Sequence, residues 1–206
     1  MIADIVDCLN ANCKQTLSVL PDRIFLSEQN QTTQYKSKIV DENKWKYHEI
    51  ISYKNEMYII GGGHVGLALS EIMRFLDFYV HVIDDREDLN TMKQNRFAHR
   101  KHHLPYDKIA DFIPEGNNIY VVIMTHKHVS DKEALKNLIR KNIKYLGFMG
   151  SKTKVRKIFE QLQNEGFSKE ELQKIYSPIG IDIKSETPEE IAVSIAAEII
   201  KLKNKG

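Results

Sequence analysis

Glycine is missing from the first 60 residues; all ten glycines lie from Gly61 onward. A glycine-rich ligand loop therefore has to lie in the remainder of the chain. Cysteine is scarce as well. Cys8 and Cys13 stand five positions apart, which excludes a disulfide framework and a C-x-x-C motif. The pair reads as two ordinary thiols in a reducing cytoplasm. No apolar run approaches the length of a bilayer span. The first residues carry Asp4 and Asp7, without a basic n-region or a continuous apolar stretch, so no signal peptide is expected. The net charge is only +2, which gives no field for nucleic acid or a membrane surface.

What is present is an ordinary globular composition, 42% hydrophobic and 28% charged over 206 residues, enough for one sizeable domain and a small one. The glycine boundary divides them. Residues 1–56 read as a small N-terminal α+β segment. In it Ile2, Ile5, Val6 and Leu9 share a helical face, and Arg23 to Leu26, Tyr35 to Val40 and Trp45 to Ile51 are β-like, with polar stretches such as Ser27 to Gln34 between them. Residues 57–206 alternate strands with helices, the pattern of a doubly wound, mostly parallel α/β sheet. Its strands are Met57 to Ile60, Tyr79 to Ile83, Asn118 to Met124 and Lys144 to Met149. Capping boxes are expected at Ser130–Glu133, Ser168–Glu171 and Thr187–Glu190, the last with Pro188 at the first helical position. Gly166 is placed to end a helix that carries Val155, Ile158 and Leu162.

One motif stands out by its context. Gly61-Gly62-Gly63-His64-Val65-Gly66 follows a strand directly and opens a helix directly, the Rossmann-type arrangement for a dinucleotide. The first glycine allows the tight turn and the second lets backbone approach a pyrophosphate. The third allows close helix–strand packing, while the helix N-terminus supplies donors and positive dipole. Asp84 ends the next strand 18 residues after Gly66, where an acid can accept hydrogen bonds from ribose hydroxyls. Asp85 adds like charge against a 2′-phosphate, which Arg86 offsets in part, so NAD is favoured over NADP. His126 and His128 follow a strand end, with Asp131 nearby. They read as ligand-facing groups, a metal pair lacking a third ligand, or loop histidines. His99, His102 and His103 form a basic run. Gly150-Ser151-Lys152 is a second strand-to-helix turn, able to hold a phosphate or carboxylate or to be a plain turn. No Ser/His/Asp order or metal spacing is evident, so His126, His128 and Asp131 stand only as candidate catalytic residues and no metal is assigned.

Together these blocks resemble the C-terminal Rossmann domain of the xanthine dehydrogenase accessory family (XdhC/CoxI). The resemblance rests on the glycine loop, Asp84-Asp85-Arg86, Thr125-His126-Lys127-His128 with Asp131, and Gly147-Phe148-Met149-Gly150-Ser151-Lys152. Ser177-Pro178-Ile179-Gly180-Ile181-Asp182 and Thr187-Pro188-Glu189-Glu190-Ile191-Ala192 complete it, in family order, across roughly Met57 to Ile200. It implies a cytoplasmic, chaperone-like, homodimeric helper that binds the molybdenum cofactor and passes it to a molybdenum hydroxylase such as xanthine dehydrogenase. The cofactor site of such a helper would hold NAD or a molybdopterin dinucleotide. The family's Ser-Gly-Gly-Cys segment has no counterpart here, so the first domain departs from the pattern. An NAD-dependent oxidoreductase, with His126 as the proton-transfer group, and a nucleotide-sensing module are the alternatives.

Overall fold

The computed structural model describes residues 2–11, 15–28 and 35–205, side chains excepted at residues 2, 9–11, 28 and 35. Cys13, residues 29–34 of the polar stretch, and the Ile2 and Leu9 side chains lie outside the described residues. The chain divides into two units, Met1–Lys54 and Asn55–Gly206.

The first unit has one helix, α1 (Ile2–Ala11), and four antiparallel strands: β1 (Gln15–Val19), β2 (Ile24–Glu28), β3 (Tyr35–Asp41) and β4 (Lys44–Ile51). Their order is β2-β1-β4-β3. Strand β1 was not legible in sequence, because its buried positions are polar. Thr16 and Ser18 point inward, and Ser18 Oγ lies 2.7 Å from Nδ1 of buried His48 on β4. Cys8 on α1 is buried and in a disulfide, which corrects its reading as an ordinary thiol.

The second unit is a five-stranded, wholly parallel sheet in the order β7-β6-β5-β8-β9. The strands are β5 (Asn55–Ile60), β6 (Phe78–Asp84), β7 (Arg100–His103), β8 (Gly116–Ile123) and β9 (Ile143–Phe148). Side chains alternate across the pleat, so β5 serves two cores at once. Met57 and Ile59 face α2 (His64–Phe75) and α8 (Pro188–Lys203), packing with Leu69, Met73, Ile195 and Ile199. Tyr58 and Ile60 face the opposite layer. There Leu135 and Leu138 of α5 (His128–Leu138) and Ile158 and Leu162 of α6 (Lys152–Asn164) close the second core. Burial on both faces explains why β6 is inaccessible along its whole length, as parallel sheets require.

Short elements complete the unit: α3 (Asn90–Gln94), a 3-10 turn at Tyr106–Lys108, α4 (Ile109–Phe112) and α7 (Lys169–Gln173). Both capping boxes at Ser168 and Thr187 form, and Gly166 ends α6 at φ +93°. The box expected at Ser130 does not. Helix α5 begins at His128 without a side-chain cap, and Asp131 turns inward instead. In the basic run from His99, residues Arg100–His103 form the edge strand β7. His99 Nδ1 accepts from Val80 N–H at 3.0 Å, and His102 Nε2 lies 3.1 Å from His81 Nδ1.

Candidate functional site

In a doubly wound sheet the ligand crevice opens at the carboxyl ends of the strands where the order reverses, here between β5 and β8. The glycine loop occupies that point, and its three glycines are held for different reasons. Gly61 has φ +119°, and a Cβ there would stand 2.3 Å from the Met124 carbonyl oxygen. A Cβ on Gly66 would stand 2.3 Å from the Gly61 carbonyl oxygen, so α2 lies directly against the turn. Above Gly63 nothing lies within 4 Å of an added Cβ. That space adjoins the start of α2, whose N-cap makes no side-chain hydrogen bond and whose first turn carries no acid. The start of α2, with its unsatisfied N–H groups and the positive end of its dipole, therefore adjoins open space.

The loop is preformed. Gly62 N–H donates to Asp84 Oδ2 at 2.7 Å, and the Thr91 hydroxyl donates to the Gly62 carbonyl. Asp84 also accepts from Arg86 through its backbone N–H (3.1 Å), Nε (2.8 Å) and Nη2 (2.9 Å). Four donors fill the ordinary capacity of a carboxylate, so the fully buried Asp84 fastens the loop and is not a vacant ribose acceptor. Burial works to raise its pKa, but the hydrogen bonds from Arg86 and Gly62 bring it below the usual carboxylate value. The neighbouring acid, Asp85, is part-buried; its Oδ1 is buried and lies 3.9 Å from His126 Nδ1. That contact joins the ends of β6 and β8, the two strands that flank the loop. Burial, followed by the Asp84 and Asp85 charges, holds the Tyr106 phenol well above its ordinary pKa.

Thr125 and Asp131 form the other wall. Asp131 Oδ1 accepts from the Thr125 backbone N–H at 3.0 Å and from its hydroxyl at 2.7 Å. Asp131 Oδ2 lies 2.5 Å from Lys154 Nζ on α6. A fully buried carboxylate thus ties the end of β8 to α6. His126 is exposed, whereas His128 opens α5 with its Nε2 buried and without a hydrogen-bond partner. His126, His128 and Asp131 do not converge, and among the described residues no group of three such side chains could hold a metal ion. His64 is exposed at the first position of α2, and Val65 packs into the core beneath it.

Gly150, Ser151 and Lys152 sit at the end of β9, two strands from the glycine loop. Ser151 caps α6 by accepting from Lys154 N–H at 3.2 Å. Beside them an open cleft of about 830 Å³ separates this turn, which the sequence marked as able to hold a phosphate or carboxylate, from residues 178–185. The expected site residues therefore form two groups: one around Gly61–Gly66 with Asp84–Arg86, Thr125 and His126, and one at Gly150–Lys152.

Comparison with known proteins bears on the family and the fold. The family model of the XdhC Rossmann domain matches residues 57–199. Over 151 residues the chain is 33% identical to the uncharacterized protein YqeB of Escherichia coli (strain K12), a match covering 73% of this chain and 28% of YqeB. Over 84 residues it is 33% identical to a protein of Bacillus subtilis (strain 168) described as a probable xanthine dehydrogenase subunit, covering 41% of this chain and 23% of that one. The matches take in about a quarter of the length of these relatives. A crystal structure of a xanthine dehydrogenase from Bacillus halodurans superposes with a TM-score of 0.68 at 25% identity, over 98% of this chain and 64% of that one.

Proposed function

The chain belongs to the XdhC Rossmann-domain family, and on that premise we propose that it is an accessory protein for the maturation of molybdenum hydroxylases of the xanthine dehydrogenase type, holding a dinucleotide at Gly61–Gly66. The observation that carries the reading is the open space over Gly63 at an uncapped helix start, beneath which the backbone is pinned from both sides. A loop fixed in advance loses little conformational freedom when it takes up a pyrophosphate. Gly62, Gly63 and the first turn of α2 would hold that group, and Asp85, which follows the end of β6, would accept from a ribose.

The state of Arg86 supports NAD over NADP. Its Nε and Nη2 are both given to Asp84, so it is poorly free to answer a 2′-phosphate beside Asp85. A molybdopterin dinucleotide offers the same pyrophosphate to the loop, and when bound it would supply the metal centre destined for the client enzyme. The helper would act in the cytoplasm as a homodimer and release its ligand to the hydroxylase. Native mass spectrometry of the full chain, alone and with added NAD, tests this reading. The expected spectrum shows a dimer carrying one dinucleotide mass per chain. A chain that retains no dinucleotide at millimolar NAD, and does not restore hydroxylase activity in cells lacking their own helper, would sink the proposal. Turnover of bound NAD with a small alcohol or aldehyde would point instead to an oxidoreductase using the exposed His126.

A further inference from the structure

The cleft at the end of β9 lies apart from the glycine loop. One wall is the Gly150–Lys154 turn and the other is the loop 178–185. That loop is fastened to α8. Ser194 Oγ donates to the Ile181 carbonyl at 2.6 Å, and the Gly180 N–H donates to Glu198 Oε2 at 3.1 Å. Glu198 is itself held by the Tyr145 hydroxyl. Gly180, at φ +94°, has no room for a Cβ, which would meet Ser194 Oγ at 2.3 Å. Both walls are therefore fixed by specific contacts.

The lining has two characters. Met149, Ile179 and Ile191 give an apolar floor, extended by the part-exposed Ile181 and Ile183. Lys152, Lys154 and Lys184 bring three ammonium groups, while Asp182 is the one acid of the lining. Lys154 is locked by Asp131 behind the wall and lies 5.4 Å from the centre of the Phe148 ring. The Lys184–Asp182 pair is exposed and therefore weak enough for a ligand to replace. Counting Asp131, three cations face two carboxylates, at the start of a 13-residue helix whose first turn has no acid. A cation there opposes the dipole, and an anion in the cleft relieves that opposition.

We propose that this cleft is a second ligand site, for a small organic anion: an apolar ring or chain carrying a phosphate or a carboxylate. The volume falls within the range of small-molecule pockets. It lies beyond β8 from the glycine loop, at roughly two strand spacings or about 10 Å, and does not depend on the dinucleotide reading.

The test is a titration of the full ¹⁵N-labelled chain followed by amide shifts, with three probes that share one ring. Pyridoxine 5′-phosphate carries a phosphate, 4-pyridoxic acid a carboxylate, and pyridoxine neither. Saturable shifts at Gly150, Ser151, Gly180 and Ile181 are expected with an anionic probe, at least about tenfold tighter than with pyridoxine, the worth of one charge-assisted hydrogen bond. Which anion binds tighter assigns the group. The surface double variant Lys152→Glu, Lys184→Glu should erase the preference for the anions, while Gly63→Val should leave it intact. The proposal fails if pyridoxine binds equally well, if no probe shifts those amides at millimolar concentration, or if Gly63→Val abolishes the effect. In the last case the two sites are one.

Discussion

Alanine at Gly63 and at Gly66 should separate ligand binding from folding, although the two glycines are three residues apart in one loop. At Gly63 the backbone (φ −70°, ψ −168°) is extended and open to any residue, and the new methyl meets nothing within 4 Å. Loss of unfolded-state freedom favours the variant by about 0.4–1 kcal/mol. Alanine's poorer N-capping works against it by a similar amount, so stability should change by less than about 1 kcal/mol. The methyl does, however, fill the space a phosphate would take. At Gly66 the methyl is driven to 2.3 Å from the Gly61 carbonyl oxygen, which is backbone and cannot swing aside. Overpacking of this kind costs roughly 1–3 kcal/mol, and for a protein of this size each kcal/mol lowers Tm by about 2–4 °C. Scanning calorimetry gives the melting of the second unit, and titration calorimetry gives the NAD affinity. Gly63→Ala should melt like the parent and lose most of its affinity; Gly66→Ala should melt several degrees lower. An unchanged Kd in Gly63→Ala would remove the loop from the site. An unchanged Tm in Gly66→Ala would contradict the helix–strand contact itself.

Asp84→Asn should destabilise the second unit by about 1–3 kcal/mol at neutral pH, the lower end applying because the Arg86 side chain is 35% exposed. Because the folded pKa of Asp84 lies below its unfolded value, its stabilisation is present above roughly pH 4 and lost as pH falls through the folded value. Urea titrations across that range should show an acid limb in the parent that is smaller in Asp84→Asn, and equal limbs would refute the linkage. His99 acts in the same direction, in a higher pH window. Burial, then the charges of Arg74, His81 and Arg100, hold its pKa down to about 4, and its Nδ1 must stay unprotonated to accept from Val80 N–H. Stability should therefore be complete above about pH 6.5 and decline as pH falls toward 4, with a shallower decline in His99→Gln.

The parts legible in sequence are those where the chain states its own geometry. Apolar Met57–Ile60, the glycines and the apolar face of α2 together specify a strand–turn–helix unit, and Thr187-Pro188-Glu189-Glu190 specifies a helix start. Edge strand β7 was not legible, because a strand with one unpaired margin needs no apolar alternation and Arg100-Lys101-His102-His103 has none. Ser130 looked like a cap, but Asp131 is drawn to Thr125 and Lys154, and this tertiary demand moves the start of α5 to His128. Asp84 is the subtler case. Its position at the strand end was plain, yet its saturation depends on Arg86 folding back over it, a side-chain conformation that spacing does not encode. The Gly150–Lys152 wall of the cleft was legible, but not its pairing with loop 178–185, because the two are some 30 residues apart and meet only when that loop is fastened to α8.

The margins of the five-stranded sheet restrict how the second unit can associate. On one side β7 presents exposed Arg100, Lys101 and His103, whose charge and bulk discourage pairing with another chain. On the other side the outer edge of β9 is occupied by its own chain. Tyr176 N–H donates to the Leu146 carbonyl at 2.9 Å, and Phe148 N–H donates to the Tyr176 carbonyl at 3.0 Å. Both margins therefore disfavour the addition of a further strand. Any protein that docked on this unit would thus meet chiefly its helices and loops, where recognition is read from side chains instead of from a shared backbone ladder.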